Sequence, residues 1–564
     1  MNGISLYSAN IKLANEIKLR KEYFGGLVFD TRNGNILELD KEAFAVLSVL
    51  KHRFISLKNL KNILLEFELI TKTDDQLDIL LQTFVKQGII EFSNETRADF
   101  LASPQNGSSY QEINDTISYL KKTQKYQWLS APETVYWSIT YRCNKSCPDC
   151  YTRRFRHDKP EMSTKEAKTF IDKIAGWGVF QLAIGGGEPF LRKDLPEIIK
   201  CAAGSYLTVH ITTGKKDIKS EEIKPIAAYI KNLQIGFHPR EFQEDKILMW
   251  DKNIRNTIDI LNHFRVSFGA NLFLSKSAIQ DLNNIIDRLV ALGFSRIILL
   301  RYKPPADVRQ WNREKPTREQ LLLLNKKIIN IKKRHPEINL RIDCALSFIQ
   351  PHLQEELSRQ FGQKGCVAAS RILSVAPDGS VYPCSQLVHP QNNAGNLLNS
   401  DLMELWNNSG ILRKYRSFRS KKSFLNSWCG VCIKKETCGG CRIFSPDLLR
   451  CEKNCPEPQL PPLNRIGKRG RLLDVKRYLN EVYGITAKEY MKRYDVGSKT
   501  AIKELNSITG MSNKSIHSLY SCPKEDTIRD IQESIGFTSN GAPYASYEEI
   551  KEWITVDEDN DYYV

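Results

Sequence analysis

No stretch of this 564-residue chain stays apolar for the roughly 18–20 residues that a membrane-spanning helix needs. The N-terminus, Met1-Asn2-Gly3-Ile4-Ser5, lacks the basic and apolar regions of a secretory signal. Both absences set the expectation of a soluble, cytoplasmic protein. A long basic run is missing too. Lys and Arg number 82 against 65 Asp and Glu, a formal net charge of +17, but they are scattered, with only short clusters such as 465–471. The excess reads as Lys-rich solvated helices rather than as a nucleic-acid footprint. No hydrolase-type triad stands out. Cysteine, by contrast, is plentiful, with fourteen in the chain. In a cytoplasmic setting that number points to metal rather than disulfides. The length suggests three or four domains, each able to bury a core.

The run Cys143-Asn144-Lys145-Ser146-Cys147-Pro148-Asp149-Cys150 follows an apolar stretch, Val135-Tyr136-Trp137-Ser138-Ile139-Thr140. Its thiols stand at C-x3-C-x2-C, so three cysteines on one loop can hold three irons of a cubane cluster. No fourth is at hand, which leaves one iron open to a ligand. Structural zinc usually draws on paired C-x2-C knuckles that supply four ligands together. The arrangement resembles the signature of the radical S-adenosylmethionine (SAM) enzymes. In that family the open iron chelates SAM, and one electron splits it into methionine and a 5′-deoxyadenosyl radical that abstracts hydrogen from the substrate.

Beyond the loop, Ser163-Thr164-Lys165-Glu166 is a capping box that opens a helix with Ala167, Phe170, Ile171 and Ile174 inward. A strand at 181–184 runs into Gly185-Gly186-Gly187-Glu188-Pro189. Glycines at a strand end let backbone approach a ligand closely. Placed one β-α-β unit after the cysteines, this turn matches the second radical SAM motif, in which glycines and glutamate hold the SAM amino group. Further strands are expected at 207–211, 234–237, 268–274 and 296–300, with helices between them, for example 279–292. The alternation implies an α/β fold of parallel strands. About six units fit residues 133–345, which resembles the family's partial (β/α)6 barrel with its site at the C-terminal strand ends. Thr212-Thr213-Gly214 is either a SAM ribose contact or a polar turn. Asp149 stands where many family members carry an aromatic or His, and Tyr151 is the alternative adenine contact.

Eight cysteines fall between the barrel and residue 460: Cys366, then twelve residues, Gly379, four residues and Cys384; Cys429-x2-Cys432-x5-Cys438-x2-Cys441; Cys451 and Cys455. This resembles the SPASM extension of the family, with two auxiliary 4Fe–4S clusters, making three clusters in all. Two departures are visible: the last inner spacing is x2 rather than x3, and one cysteine is extra. The resemblance implies Cys366, Cys384 and Cys441 on one cluster. It puts Cys429, Cys432, Cys438 and one of Cys451 or Cys455 on the other. A zinc ribbon is the alternative for 429–441. Cys201, Cys344 and Cys522 read as incidental thiols.

Residues 1–95 read as a separate domain. Segments 24–30 and 35–39 flank an Asn33-Gly34 hairpin turn, Asp40 caps a helix, further helices follow at 57–67 and 74–86, and a strand at 89–92 ends it. This winged-helix layout resembles the recognition element of enzymes that act on ribosomally made precursor peptides. There a leader adds as a strand to the wing edge. DNA binding is the alternative, but no basic cluster marks 74–86. Residues 96–132 read as a turn-rich linker, 346–460 as the SPASM domain, and 461–564 as a helical extension serving as a cap, docking surface, dimer contact or helix-turn-helix. The resemblance thus implies a peptide maturase that makes Cys thioether crosslinks, with carbon–carbon or ether cyclisation and epimerisation as alternatives. Its partners would be a precursor peptide bound by residues 24–92 and an electron donor such as flavodoxin or ferredoxin. A non-enzymatic alternative is an iron–sulfur DNA-binding regulator.

Overall fold

The computed structural model describes residues 10–51, 54–66, 74–93, 107–122, 126, 128–145, 147, 150, 160–242, 244–303, 308–348, 365–420, 438 and 440–444. They divide into two compact units. One takes the described residues of Met1–Pro316, Lys327–Leu346 and Pro351–Phe418; the other takes those of Thr317–Lys326, Ser347–Gln350 and Arg419–Val564. The expectations for 461–564 lie outside the described residues.

The chain begins with strands β1 (Asn10–Leu13), β2 (Ile17–Glu22), β3 (Gly25–Asp30) and β4 (Ile36–Asp40). Asp30 builds the β3–β4 turn: its carboxylate accepts the Arg32 N–H at 2.8 Å and the Asn33 amide at 2.9 Å. Gly34 takes φ +78° there, a conformation glycine adopts freely. Asp40 then caps helix α1 (Lys41–Val49) by accepting the Ala43 N–H at 2.7 Å. Next come β5 (Ile55–Ser56), α2 (Leu57–Glu66), α3 (Asp74–Lys86) and β6 (Ile90–Ser93). Two antiparallel sheets result, ordered β5-β1-β6 and β2-β3-β4. Strands β1, β2 and β5 have no counterpart among the expected elements. Helix α4 (Gly107–Lys121) falls inside the expected linker, and its Ile113 and Leu120 join the core formed by α1 to α3.

Both faces of the β2-β3-β4 sheet are covered. Val28 turns toward the α1–α4 core, while Leu27 and Phe29 pack on Leu129 and Phe180 of the next domain. The Phe29 and Phe180 rings stack with centroids 5.1 Å apart. Every residue of β3 is therefore buried.

The central sheet has ten strands in the order β13-β12-β11-β10-β9-β8-β7-β14-β15-β16. These are β7 (Thr134–Thr140), β8 (Gln181–Gly186), β9 (Thr208–Thr213), β10 (Ile230–Phe237), β11 (Phe268–Leu274), β12 (Arg296–Arg301), β13 (Asn339–Ile342), β14 (Ile372–Val375), β15 (Ser380–Tyr382) and β16 (Gly395–Asn396). Strands β7 to β13 are parallel and in sequence order, six strand–helix units and a seventh strand, where about six units were expected. The helices between them are α5 (Thr164–Gly176), α6 (Leu195–Gly204), α7 (Ser220–Ile223), α8 (Glu244–His263), α9 (Lys276–Gln280), α10 (Leu282–Ala291), α11 (Val308–Glu314) and α12 (Arg318–Arg334). The single helix expected at 279–292 is split at Asp281.

Right-handed crossovers between neighbouring parallel strands place their helices on one face. That face carries Trp137, Leu182, Ile184, Ile211, Leu233, Ile235, Leu272 and Leu299, all at most 1% exposed. The alternate positions, Tyr136, Ser138, His210, Thr212, Asn232, Gln234 and Asn271, are polar and line the opposite, inner face. His210 shares a hydrogen bond with Gln181 at 3.0 Å. Desolvation, helped by Lys231, Arg296 and Arg341, pushes its pKa down to about 4. The neutral ring is therefore the folded form. Its contribution is complete above the ordinary histidine pKa and is lost as pH falls through about 4, worth up to about 3 kcal/mol. Denaturant midpoints should show the wild type losing about that much more stability than His210→Gln between pH 6.5 and 4. Parallel profiles for the two proteins would contradict it.

Candidate functional site

The cysteine loop starts where β7 ends. Thr140 and Arg142 are both tied to Glu161, with the Arg142 guanidinium donating at 3.0 and 2.9 Å. The Arg142 N–H also donates to the Thr140 hydroxyl at 2.9 Å. The loop is thus clamped just before Cys143. Cys143 and Cys150 are half-buried and Cys147 is exposed. The Cys150 N–H donates to the Cys147 carbonyl at 3.3 Å. Desolvation raises the Cys147 thiol pKa, Cys150 and Cys143 beside it add to the effect, and the Lys145 ammonium opposes it. Tyr151 lies outside the described residues.

The three glycines at the end of β8 have different surroundings. Gly186 takes φ +106°, and a Cβ on it would stand 2.5 Å from the Thr140 carbonyl. A Cβ on Gly187 would stand 2.2 Å from the Arg142 carbonyl. The N–H groups of Gly187 and Glu188 donate to those same carbonyls, at 2.7 and 2.9 Å. Both glycines therefore serve close packing against the backbone that launches the cysteine loop. Gly185 differs: the nearest neighbour to its Cβ position is Thr212, at 3.9 Å. It leaves an open cradle on the inner face.

Glu188 is 3% exposed, and its carboxylate accepts the Thr213 hydroxyl at 2.8 and 2.9 Å and the Gly214 N–H at 3.2 Å. Burial raises its pKa, and those bonds, a third from Phe190 and the charge of Lys145 only partly offset it. Thr213 thus faces Glu188, while Thr212 faces the inner side beside Gly185. Lys145 links the two motifs, since its ammonium donates to the Gly214 carbonyl. Lys216, also buried, donates to the Gly236 carbonyl at 2.6 Å and to Glu241 at 3.0 Å. Arg142, Lys145, Glu161 and Lys216 escaped the sequence reading. Only the position of Lys145 inside the cysteine run signalled a role.

Of the later cysteines, Cys366 and Cys384 are in the first unit, half-buried, at the ends of the β14–β15 hairpin region. Gly379 makes that hairpin turn at φ +83°, where a Cβ would meet the Asn396 side chain at 2.9 Å. The C-x12-G-x4-C spacing is thus the signature of one hairpin that brings its two cysteines within electrostatic reach of each other. The Tyr136 phenol is pushed up to about 12 by desolvation, then by Cys344 and Cys384. Cys344, read from sequence as incidental, therefore shares the surroundings of Cys384. Cys438 and Cys441 belong to the second unit. Cys429, Cys432, Cys451 and Cys455 lie outside the described residues.

One local pattern recurs. The N–H two residues on donates to the sulfur at Cys143 (3.4 Å), Cys384 (3.5 Å) and Cys438 (3.3 Å). A metal-bound thiolate accepts backbone N–H groups in the same way; at Cys384, burial outweighs the Gln386 N–H and raises the thiol pKa. Among the described residues, no three His, Cys, Asp or Glu side chains sit close enough to hold a single ion. A cubane is wider and takes one thiolate per iron. Three thiols on one loop, one exposed and two half-buried, together with an open glycine cradle at Gly185 fit a cluster with a small-molecule ligand.

Residues 137–273 match the Radical SAM superfamily, and residues 366–433 match the SPASM iron-sulfur cluster-binding domain. The mycofactocin maturase MftC of Mycobacterium tuberculosis is 25% identical over 323 residues, covering 56% of this chain and 79% of that protein. An AdoMet-dependent heme synthase of Methanosarcina barkeri is 25% identical over 330 residues, covering 56% of this chain and 92% of that protein. Among solved structures, Streptococcus suis SuiB bound to its precursor peptide SuiA aligns with a TM-score of 0.60 over 78% of this chain and 99% of that one. At 17% identity that likeness is one of fold.

Proposed function

We propose that this radical SAM enzyme with a SPASM domain modifies a ribosomally made precursor peptide, captured by its leader and altered in its core. The observation that carries the reading is the joining, within one unit, of the cysteine loop and glycine–glutamate turn to an N-terminal module packed against the catalytic sheet. The names of two similar proteins agree with it: a maturase, and a SuiB complex that contains a precursor peptide.

Cys143, Cys147 and Cys150 would hold three irons of a 4Fe–4S cluster, with Gly185 and Glu188 beside the SAM that binds the fourth. Once reduced, that cluster and SAM supply a 5′-deoxyadenosyl radical that takes hydrogen from a peptide carbon. This chain's residues provide the rest. Gly186 and Gly187 hold the loop against β8. Lys145 pins it to Gly214. Glu188, kept in place by Thr213, presents a buried acceptor near the cradle, and Thr212 lines its side. The amide oxygens of Asn232, Gln234 and Asn271 are buried without a partner on the inner face, a surface that suits N–H donors rather than an apolar metabolite. The wing would take the leader as an added strand beside β4, which among the described residues pairs only with β3. Cys366, Cys384, Cys429, Cys432, Cys438, Cys441 and one or both of Cys451 and Cys455 would hold two auxiliary clusters, which would supply an acceptor for the electron released on bond closure. The product we favour is a thioether from a substrate cysteine to a peptide carbon.

The test uses synthetic peptides covering the short reading frames beside the gene, incubated anaerobically with enzyme, SAM and reductant. A thioether gives loss of two hydrogens and a cysteine that no longer alkylates. Two hydrogens lost from a peptide without cysteine would replace the thioether with another crosslink. One deuterium gained in heavy water, with no mass change in ordinary water, would replace it with epimerisation.

A further inference from the structure

The sequence reads as a wing domain on a turn-rich linker, yet the seam between wing and catalytic sheet is built from buried charge. Arg20 of β2 is 8% exposed and Glu22 is fully buried. The guanidinium donates to Glu22 at 2.7 Å, to the Pro132 carbonyl at 3.0 Å, to Gly178 at 2.8 Å and to Ala131 at 2.8 Å, and it lies 4.7 Å over the Phe180 ring. Glu22 in turn accepts the Ser130 N–H at 2.7 Å and its hydroxyl at 3.1 Å. The same segment is held from other sides. Trp177 of the α5 end donates to the Ser130 carbonyl at 3.1 Å, and Trp406 donates to Leu129 at 2.7 Å. Further along, Arg371 bonds Glu38 on β4 and Glu133 at the start of β7. A buried guanidinium is tolerated only where fixed acceptors surround it, so this fan of bonds permits one docking geometry.

We infer that Arg20 and Glu22 lock the N-terminal module and the catalytic sheet into one rigid body, so that the fixed span from the β4 edge to the cysteine loop selects which residue of the peptide is modified. The inference rests on the proposed capture of a leader at β4. Glu38, Arg371 and Glu133 run from that edge to the foot of β7, whose far end carries Cys143. A flexibly tethered module would present many core residues to the site at similar effective concentration. A docked one presents the residue at one spacing, and small errors in placement cost reaction rate steeply. Arg20 and Glu22 are positioning residues: neither contacts the proposed site.

Two measurements test this. In the first, peptides that the enzyme modifies receive Gly-Ser insertions between leader and core. The wild type should lose modification at the original residue by about tenfold, or shift it to the residue now at the original spacing. The Arg20→Met/Glu22→Gln pair, which removes both charges and leaves neither unpaired, should bind leader normally, spread modification over several residues and tolerate the insertions. Wild-type enzyme that modifies the same residue at an unchanged rate would overturn the proposal, as would a double variant that keeps single-site choice. The second measurement needs no peptide. Amide hydrogen exchange at 128–133 should be slow in the wild type and faster by about tenfold or more in the double variant, with α1 unchanged. Fast exchange in the wild type, with peptides still modified, sinks the rigid seam alone. Slow exchange with no peptide ever modified sinks the functional reading, and this inference with it.

Discussion

Changing Cys143, Cys147 and Cys150 to alanine should abolish formation of 5′-deoxyadenosine from SAM and leave the rest of the protein folded and iron-loaded. The three thiols stand on one loop after β7, and Cys150 and Cys143 both act on the Cys147 thiol. Anaerobically reconstituted wild type should carry about twelve irons, and the variant about four fewer. The remaining iron should keep its charge-transfer absorption, because Cys366 and Cys384 sit on a separate hairpin. The loop is anchored by Thr140, Arg142 and Glu161 rather than by its sulfurs, so the fold should survive their loss. Undiminished SAM cleavage would remove the cluster from this loop. Iron for a single cluster in the wild type would remove the auxiliary pair.

The second large effect separates glycines that look alike in sequence. Gly187→Ala puts a methyl group 2.2 Å from the Arg142 carbonyl, a backbone atom held by the Glu188 N–H. The neighbour cannot rotate away, so the strand end and the loop must part. We expect a loss of about 2–3 kcal/mol in stability. Displacement of Cys143 should cut SAM cleavage by about a hundredfold or more. Gly185→Ala meets only Thr212 at 3.9 Å, an ordinary contact. Its stability should stay within about 0.5 kcal/mol of wild type, with iron intact. If SAM lies in the cradle, its affinity should fall by about tenfold or more. Equal thermal stability of the two variants would refute the assignment of packing to Gly187 and cradle to Gly185.

Local chemistry made several elements around the site readable. Ser163 and Glu166 form the capping box that their spacing announces. β11 spans the very residues that its apolar run marks out. The C-x12-G-x4-C interval marks a hairpin turn because only a residue at ease with φ +83° closes it tightly. What escaped was long-range. Arg20 and Ala131 are 111 residues apart, and Arg371 and Glu133 are 238 apart, so no periodicity or motif could couple them. The expected linker was misleading for a related reason. Its polar stretch at 103–109 is real sequence evidence of a break, but α4 already begins at Gly107 within it, and Ile113, Tyr119 and Leu120 pack on the α1–α3 core. The three glycines at the end of β8 read as one ligand-binding motif because sequence does not tell which atoms their missing side chains would strike.

The claim that the radical is aimed at a peptide is tested most directly by following the hydrogen. A modified peptide is synthesised with deuterium on its α- and β-carbons and turned over with unlabelled SAM. The account predicts that 5′-deoxyadenosine gains one deuterium for each crosslink formed, in step with loss of the label from the peptide. If 5′-deoxyadenosine accumulates unlabelled at the same rate with and without peptide, the peptide is not the substrate and the account fails.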